Sequence, residues 1–214
     1  MHDLKSCSDE VRSCQLCRLS KTRTQAVPGD GSPVAQILFV GEAPGLNEDR
    51  QGIPFVGAAG RILDNMLKSV ALDRESVFIT NIVKCRPPNN RDPLPDESEA
   101  CSDYLDRQIE ILRPSIIVPL GRHAASHWFP KEPISKLRAQ ARSVGELTLF
   151  PLYHPAAALH NGKLRKTIQS DFLKLGALLA SKTNSGKNAP ALNLSSGLIA
   201  NTKPAEAPAQ MRML

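Results

Sequence analysis

Four short apolar runs alternate with amphipathic segments along the chain, and this alternation constrains the fold more than any other feature. The runs QILFVG, SVFITNIV, PSIIVPLG and ELTLFPL begin at residues 36, 76, 114 and 146. The segments between and after them place apolar residues three and four positions apart, as amphipathic helices do. They cover residues 60–72, 96–113, 122–129 and 162–181. Strands that alternate with helices predict a parallel sheet with helices on both faces.

The strand ends carry the residues that suit a binding site. The motif GEAPG follows the first run, and Asn81, Gly121 and His154 lie at or just beyond the ends of the next three. In open parallel sheets the ligand lies outside the carboxyl ends of the strands. We therefore expect these residues to line one crevice.

Composition excludes some classes and limits the domain count. The chain of 214 residues fits one domain with an extended end, and no apolar run is long enough to span a bilayer. The polar start lacks a signal-peptide core, which favours a cytoplasmic protein. The net charge of +6 favours an anionic partner. We predict a folded domain over 1–181 and a disordered tail over 182–214, where Ser, Asn, Ala and Pro predominate.

Four of the five cysteines form a pattern that suits a metal centre. Cys14 and Cys17 make a C-x-x-C pair, fifteen residues separate Cys85 from Cys101, and Cys7 stands alone. The pair precedes the first strand, which argues against a thioredoxin-like redox motif. Four thiolates suit a tetrahedral zinc or a [4Fe–4S] cluster, and the long second spacing is less typical of zinc.

The motifs, taken in order, resemble one known family. CQLC, GEAPG, GIPFVGAAGRILD, TNIVKCRPPNNRDP and LYHPAAAL are together similar to the family 4 uracil-DNA glycosylases of the iron–sulfur type, from about residue 14 to 179. The resemblance implies a three-layer α/β/α sandwich with a central, mostly parallel, four-stranded sheet. It also implies uracil excision from DNA as the start of base-excision repair by a monomer without membrane contact. A [4Fe–4S] cluster is expected on Cys14, Cys17, Cys85 and Cys101.

The expected pocket follows from the chemistry of uracil. A base that is cut from DNA must leave the stack, and Phe55 suits the floor on which it stacks. The Asn81 amide offers a donor to O4 and an acceptor for N3–H. His154 is expected to donate to O2, where negative charge develops. The resemblance implies this role for His154, and it also implies that Gly41, Glu42 and Ala43 border the ring.

The origin of the attacking water stays open at this point. Ala43 stands where better-known uracil glycosylases carry a water-positioning aspartate, so Glu42 is expected to orient water and to bond the Asn89–Asn90 loop. Alternatively, uracil departs and water arrives unaided. The basic segment KLRAQAR is expected to meet phosphates, and Leu159 either wedges into the duplex or packs in the core. Of the other histidines, His123, His127 and His160 are expected to be core or surface residues.

Two functions compete with glycosylase turnover. An iron–sulfur redox protein would not need Phe55, Asn81 and His154 at one sheet edge. A nucleic-acid-binding protein without turnover would share the fold and the cluster, so an assay for excision separates it from an enzyme.

Overall fold

A computed structural model describes residues 3–185. The strands are β1 (Asp30–Gly31), β2 (Ile37–Gly41), β3 (Phe78–Asn81), β4 (Ile116–Pro119), β5 (Arg142–Val144) and β6 (Leu147–Leu149). The helices are α1 (Leu4–Ser13), α2 (Leu46–Gln51), α3 (Ala58–Lys68), α4 (Pro95–Leu112), α5 (Gly121–Ser126), α6 (Ile134–Leu137), α7 (Ala157–His160) and α8 (Gly162–Ser185). Two short 3₁₀ turns cover Arg18–Lys21 and Pro88–Asn90.

The strands form one mixed, mostly parallel sheet in the order β1-β3-β2-β4-β6-β5. The four strands predicted from the apolar runs make its parallel centre, β3-β2-β4-β6. The prediction of four strands was nevertheless too low, because β1 and β5 pair antiparallel with the outer strands. Both additions are only two or three residues long, and such short pieces carry little periodic signal.

Helices cover both faces of the sheet, and strand β2 shows why. Its residues alternate between the two faces. Leu38 and Val40 pack in a core with α1, α4 and α5, whereas Ile37 and Phe39 pack in a second core with α3 and α8. Because every residue of β2 is buried, the strand reads as a continuous apolar run.

The N-terminal segment is fastened to the sheet through α4. Helix α1 begins at an Asp3 cap, whose carboxylate accepts from the Ser6 N–H at 2.7 Å. The two terminal nitrogens of the Arg107 guanidinium, Nη1 and Nη2, donate to Glu10 at 2.6 and 2.9 Å. These two hydrogen bonds from α4 fix the C-terminal end of α1, and the C-x-x-C segment follows directly after it.

The C-terminal part differs from the expectations in two places. Arg138, part of the segment expected to meet phosphates, donates to the buried Asp171 carboxylate at 2.6 Å and stacks over the Tyr153 ring. This arginine therefore has an internal partner. Helix α8 continues to Ser185, past the boundary predicted at 181, and the rest of the predicted tail, 186–214, lies outside the described residues. Within residues 3–185, no helix is long and apolar enough to cross a membrane.

Candidate active site

A cavity of about 430 Å³ opens at the carboxyl edge of the parallel strands. It brings together residues from every strand-end segment singled out above, except Gly121. Its walls include Glu42, Ala43, Gly45, Asn47, Glu48, Phe55, Asn81, Asn90, Arg91, His154 and Leu159. We call this cavity the pocket.

Asn81 is the last residue of β3 and is almost fully buried, with 1% of its surface exposed. Its side-chain oxygen Oδ1 is buried and has no hydrogen-bond partner among the described residues. A buried acceptor without a partner costs about 1–3 kcal/mol. Such a group calls for an explanation in any native structure. Asn81 thus lines the pocket with a side-chain oxygen that no described protein group satisfies.

Gly41, at the end of β2, makes room for this arrangement. A Cβ atom built on Gly41 would overlap Asn81 Oδ1 and would lie 2.7 Å from Cζ of Phe55. Any side chain at this position would therefore displace both groups. The absence of a side chain at Gly41 is therefore what lets the Asn81 amide and the Phe55 ring lie against the end of β2.

Phe55 packs at the base of the pocket, 6% exposed, and its ring centroid lies 5.5 Å from that of His154. The loop after it is held by Glu48, whose Oε1 accepts from the N–H groups of Val56 and Gly57 at 2.9 and 2.8 Å. The carboxylate thus fixes the backbone that presents the aromatic ring.

His154 faces the pocket as a neutral imidazole. Its Nδ1 accepts from the Ala156 N–H at 3.1 Å, so the proton resides on Nε2. Burial lowers the pKa of His154 from 6.5 to about 4, against an opposing effect of Glu48. The side chain is therefore a hydrogen-bond donor without charge at neutral pH.

Glu42 lies beside His123 rather than beside the Asn89–Asn90 loop. His123 Nε2 is 3.8 Å from Glu42 Oε2 and 3.1 Å from Asp92 Oδ2, although the second pair lacks the alignment of a hydrogen bond. Burial raises the pKa of Glu42, His123 opposes this, Asp92 adds to it and Arg122 opposes it. The expected contact with the Asn89–Asn90 loop is absent from the hydrogen bonds of residues 3–185. Asn90 instead accepts from Arg86 at 2.7 Å.

The four cysteines predicted to hold metal lie in or against the core that packs on α1 and α4. Cys14 ends α1, Cys17 precedes the first 3₁₀ turn, Cys85 follows β3 and Cys101 lies on α4. They pack in one core, and burial raises the pKa of Cys85, with Cys17 and Cys14 adding to the rise against Arg23. We call these four residues the cysteine centre.

Backbone and guanidinium N–H groups surround the sulfur atoms of the cysteine centre. Arg23 donates to Cys85 Sγ at 3.0 Å, and the Lys84 N–H donates to Cys101 Sγ at 3.3 Å. The Leu16 N–H approaches Cys14 Sγ at 3.5 Å. Such donors stabilise thiolates, which are the form that ligates iron. The chemistry of this donor set therefore fits a cluster.

The four cysteines of the cysteine centre form no disulfide bonds. Their thiols are therefore available as metal ligands, and four thiolates suit either a tetrahedral zinc or a [4Fe–4S] cluster.

Comparison with known proteins identifies the family to which this fold and pocket belong. The profile of the uracil DNA glycosylase superfamily matches residues 28–175. The chain belongs to this superfamily. It is 53% identical over 188 residues to the type-4 uracil-DNA glycosylase of Sulfurisphaera tokodaii, covering 83% of this chain and 86% of that protein. The type-4 enzymes of Saccharolobus solfataricus and Archaeoglobus fulgidus are 52% and 48% identical, each over 85% of this chain and over 89% and 96% of their own lengths.

The family resemblance drawn from the motifs is therefore confirmed. Three polar residues near the pocket were nevertheless missed from the sequence. Glu48 holds the loop after Phe55, His123 lies beside Glu42, and the third residue is the buried Lys84. Its Nζ donates to the Asn81 backbone oxygen at 2.7 Å, and to Thr80 and Gln108.

Lys84 contacts both the pocket and the cysteine centre, because its side chain bonds Asn81 and its backbone N–H donates to Cys101 Sγ. Burial lowers the pKa of Lys84 to about 8. The sequence offered one indication of this role, a lysine directly after an apolar run. A lysine that is buried there needs several hydrogen-bond acceptors around its charged group. His123 offered a weaker signal, its place on the helix that follows β4.

Proposed function

We propose that the chain hydrolyses the N-glycosidic bond of deoxyuridine in DNA, releasing uracil and leaving an abasic site that starts base-excision repair. The observation that carries the proposal is the buried Asn81 Oδ1 without a partner, at a pocket with Phe55 at its base. Family membership supports the same reaction class, because the closely similar type-4 proteins are uracil-DNA glycosylases.

Base recognition is assigned to Asn81. In this proposal Oδ1 accepts from N3–H of uracil, and Nδ2 donates to O4. Cytosine has a lone pair at N3 and an amine at position 4, so both contacts would be mismatched. Sites built around buried polar groups reject such ligands strongly, because the buried groups are left unpaired. Stacking on Phe55 supplies the rest of the affinity for a flat base.

His154 is proposed to stabilise the leaving group. As the bond breaks, negative charge collects on uracil and reaches O2. The Nε2–H of a neutral His154 donates to that oxygen, and the tautomer is held by the Ala156 N–H on the other ring nitrogen. A neutral donor needs no proton from solution, which suits a group whose pKa is about 4.

Glu42 is proposed to orient the water that attacks the sugar. Ala43 has no polar side chain for this task, and Glu42 is the pocket carboxylate whose neighbours include a histidine. The backbones of Gly41 and Ala43 border the base. Departure of uracil before the water arrives is the alternative, and in that case loss of Glu42 would change the rate little.

We further propose that Cys14, Cys17, Cys85 and Cys101 bind a [4Fe–4S] cluster. When bound, the cluster supplies a cross-link between the N-terminal segment and the two ends of the segment 85–101, with no redox step required. The chain's own residues then do the chemistry at the pocket. The four free thiols and the N–H groups that donate to Cys85 and Cys101 support this assignment.

DNA is the proposed partner, bound by a single folded domain that acts as a monomer. Leu159 supports the wedge interpretation, since it lines the pocket and is 49% exposed rather than packed in the core. Lys163, Arg165 and Lys166 follow it at the start of α8, where they are close enough in sequence to meet phosphates. The tail beyond α8 has no role in this proposal.

The test incubates the purified holoprotein with an oligonucleotide that carries one uracil, and with its cytosine counterpart. Alkali cleavage of the uracil strand alone is the expected result, since an abasic site is alkali-labile. Binding of both strands without cleavage would instead indicate a nucleic-acid-binding protein without turnover.

A further inference from the structure

Phe55 adopts a backbone conformation that an aromatic residue rarely takes. Its φ is 54°, in the left-handed region. Non-glycine residues with a bulky side chain are true outliers there, and they persist only where the surroundings hold them. Because Phe55 is the base of the pocket, the groups that hold its backbone also set the position of the ring.

Arg74, which lies between α3 and β3, grips the backbone at this point. Its Nη1 donates to the Pro54 carbonyl at 2.9 Å, and its Nη2 donates to the Phe55 carbonyl. Its Nε donates to Asp64 on α3 at 2.7 Å, which fixes the plane of the guanidinium. One rigid fork thus holds two successive carbonyl groups, an arrangement for which lysine has no equivalent.

The opposite side of the same loop is held by different groups. Glu48 accepts from the N–H groups of Val56 and Gly57. Helix α3 approaches so closely that a Cβ atom on Gly60 would overlap the Phe55 carbonyl. The carbonyl groups of residues 54 and 55 and the N–H groups of residues 56 and 57 are therefore all fixed.

We propose that Arg74 is a positioning residue for uracil excision, which keeps Phe55 in its left-handed conformation and thereby sets the surface on which the base stacks. The inference rests on the proposed function. Arg74 is not among the residues that line the pocket, so it acts through Phe55 alone. Its side chain has no other hydrogen-bond partner among the contacts described for it than Asp64, Pro54 and Phe55.

The first test replaces Arg74 by Met and by Lys, with Lys68→Met as a control that removes one positive charge from the end of α3. For Arg74→Met we expect the single-turnover rate of uracil release to fall roughly 20-fold, because small displacements of a binding group are costly. Inhibition by free uracil should weaken at least roughly tenfold. Arg74→Lys should recover only part of either loss, since it keeps the charge but not the fork.

Affinity for a uracil-free duplex separates positioning from a general loss of structure or charge. It should change by less than about twofold in both variants and in the control, because phosphate contacts dominate it. If the expected losses in rate and in uracil inhibition do not occur in folded Arg74→Met, the inference is overturned. A wild-type protein that releases no uracil would overturn the proposed function itself. An active wild type with an equally active Arg74→Met would overturn only the role of Arg74, so the two failures are distinguishable.

A double-mutant cycle distinguishes positioning of the Phe55 ring from a purely structural role of Arg74. In a Phe55→Leu background, Arg74→Met should cost less than about threefold, because the ring that it positions is gone. The same factor in both backgrounds would contradict the inference. Should Arg74→Met fail to fold, Asp64→Asn releases the guanidinium more gently, and the same cycle with Phe55→Leu applies to it.

Discussion

The pocket and the cysteine centre come within four residues of each other along the chain, at Asn81 and Cys85, yet their buried polar atoms are satisfied differently. The pocket is open to solvent and holds a buried amide oxygen that nothing in residues 3–185 satisfies. In the cysteine centre the buried thiols of Cys85 and Cys101 accept from N–H donors, and burial raises the pKa of Cys101 to about 11.

This difference separates an exchangeable ligand from a permanent one. An acceptor that faces an open cavity can be satisfied by a base that enters and leaves. Thiols whose pKa is raised by burial, as for Cys85 and Cys101, give up their protons when a metal binds, and such binding couples to folding. Lys84 joins the two regions, because its side chain holds Asn81 and its backbone meets Cys101. We therefore expect damage at one region to differ in kind from damage at the other.

The largest effect is expected at the cysteine centre. Cys85→Ser should abolish the visible absorbance and the roughly four irons per chain that a [4Fe–4S] cluster gives, and should lower the thermal midpoint. Iron and sulfide analysis with thermal unfolding checks this. Cys7→Ser is the matched control, since Cys7 is buried but its pKa is affected chiefly by burial, Arg107 and Lys84 rather than by the other cysteines.

Stoichiometric zinc in anaerobically prepared wild-type protein would contradict the assignment of an iron–sulfur cluster to the cysteine centre. So would equal iron contents in Cys85→Ser and wild type.

In the pocket, the largest effect is expected for Asn81→Asp. The carboxylate loses the donor to O4 and repels the uracil anion, so uracil selectivity over cytosine should fall by roughly 10³ or more. Weak cytosine release should appear at low pH, where a protonated carboxyl can donate to N3. Single-turnover rates on matched uracil and cytosine oligonucleotides measure this, with the exposed Asn65→Asp as control. Unchanged rates and selectivity would mean that Asn81 does not contact the base.

For His154→Ala we expect uracil release to slow by about 100-fold, as for the loss of an oxyanion donor. Binding to DNA should stay within a factor of about two, because phosphates dominate it. Single-turnover kinetics and duplex titration measure the two quantities, with His127→Ala as control. A rate within about threefold of wild type would show that His154 does not stabilise the leaving group.

The same histidine predicts how folding stability depends on pH. The pKa of His154 is lowered in the folded state from 6.5 to about 4. The unfolded chain therefore binds more protons between these values, and this residue makes the free energy of unfolding decrease as pH falls through that window. Denaturant unfolding of wild type and His154→Gln should show a weaker dependence between pH 6.5 and 4 in the variant. Equal dependences would mean that His154 is not held neutral.

The smallest effect concerns the pH dependence of the rate of uracil release, on the acidic side where the rate falls as pH decreases (the acid limb). Burial raises the pKa of Glu42, and the charge of His123 opposes that rise. Removing His123 should therefore raise the pKa of Glu42 further and move the acid limb to higher pH, whereas Asp92→Asn should move it to lower pH. Rates of uracil release from pH 4 to 8 measure both shifts. If neither variant moves the limb, Glu42 is not the group that titrates.

Much of the sheet could be predicted because its central strands are buried on both faces. Continuous apolar runs mark such strands, and a polar residue near the end of a run falls at the carboxyl edge of the sheet, which is how Asn81 was found. The edge strands β1 and β5 could not be predicted. They have only two and three residues, and their pairing is set by the neighbouring strands rather than by their own periodicity.

The residues that support the site were harder to find than those that face it. Arg74 and Glu48 act on backbone atoms of the Phe55 loop, and these contacts depend on a left-handed φ that no pattern in the sequence reveals. The expected partner of Glu42 was wrong for a related reason. The Asn89–Asn90 loop is near in sequence to a pocket motif, but α5 places His123 closer.

The central claim is that the unpartnered Asn81 oxygen accepts from N3–H of the base, and two isomeric ligands test it on the unaltered protein. In 1-methyluracil the methyl group stands where the sugar is attached and N3–H is kept, whereas 3-methyluracil has lost that hydrogen. Both compete against a uracil-containing oligonucleotide in single-turnover assays. We predict that 1-methyluracil inhibits much as uracil does and that 3-methyluracil is at least roughly tenfold weaker. Equal inhibition by the two isomers would contradict the account.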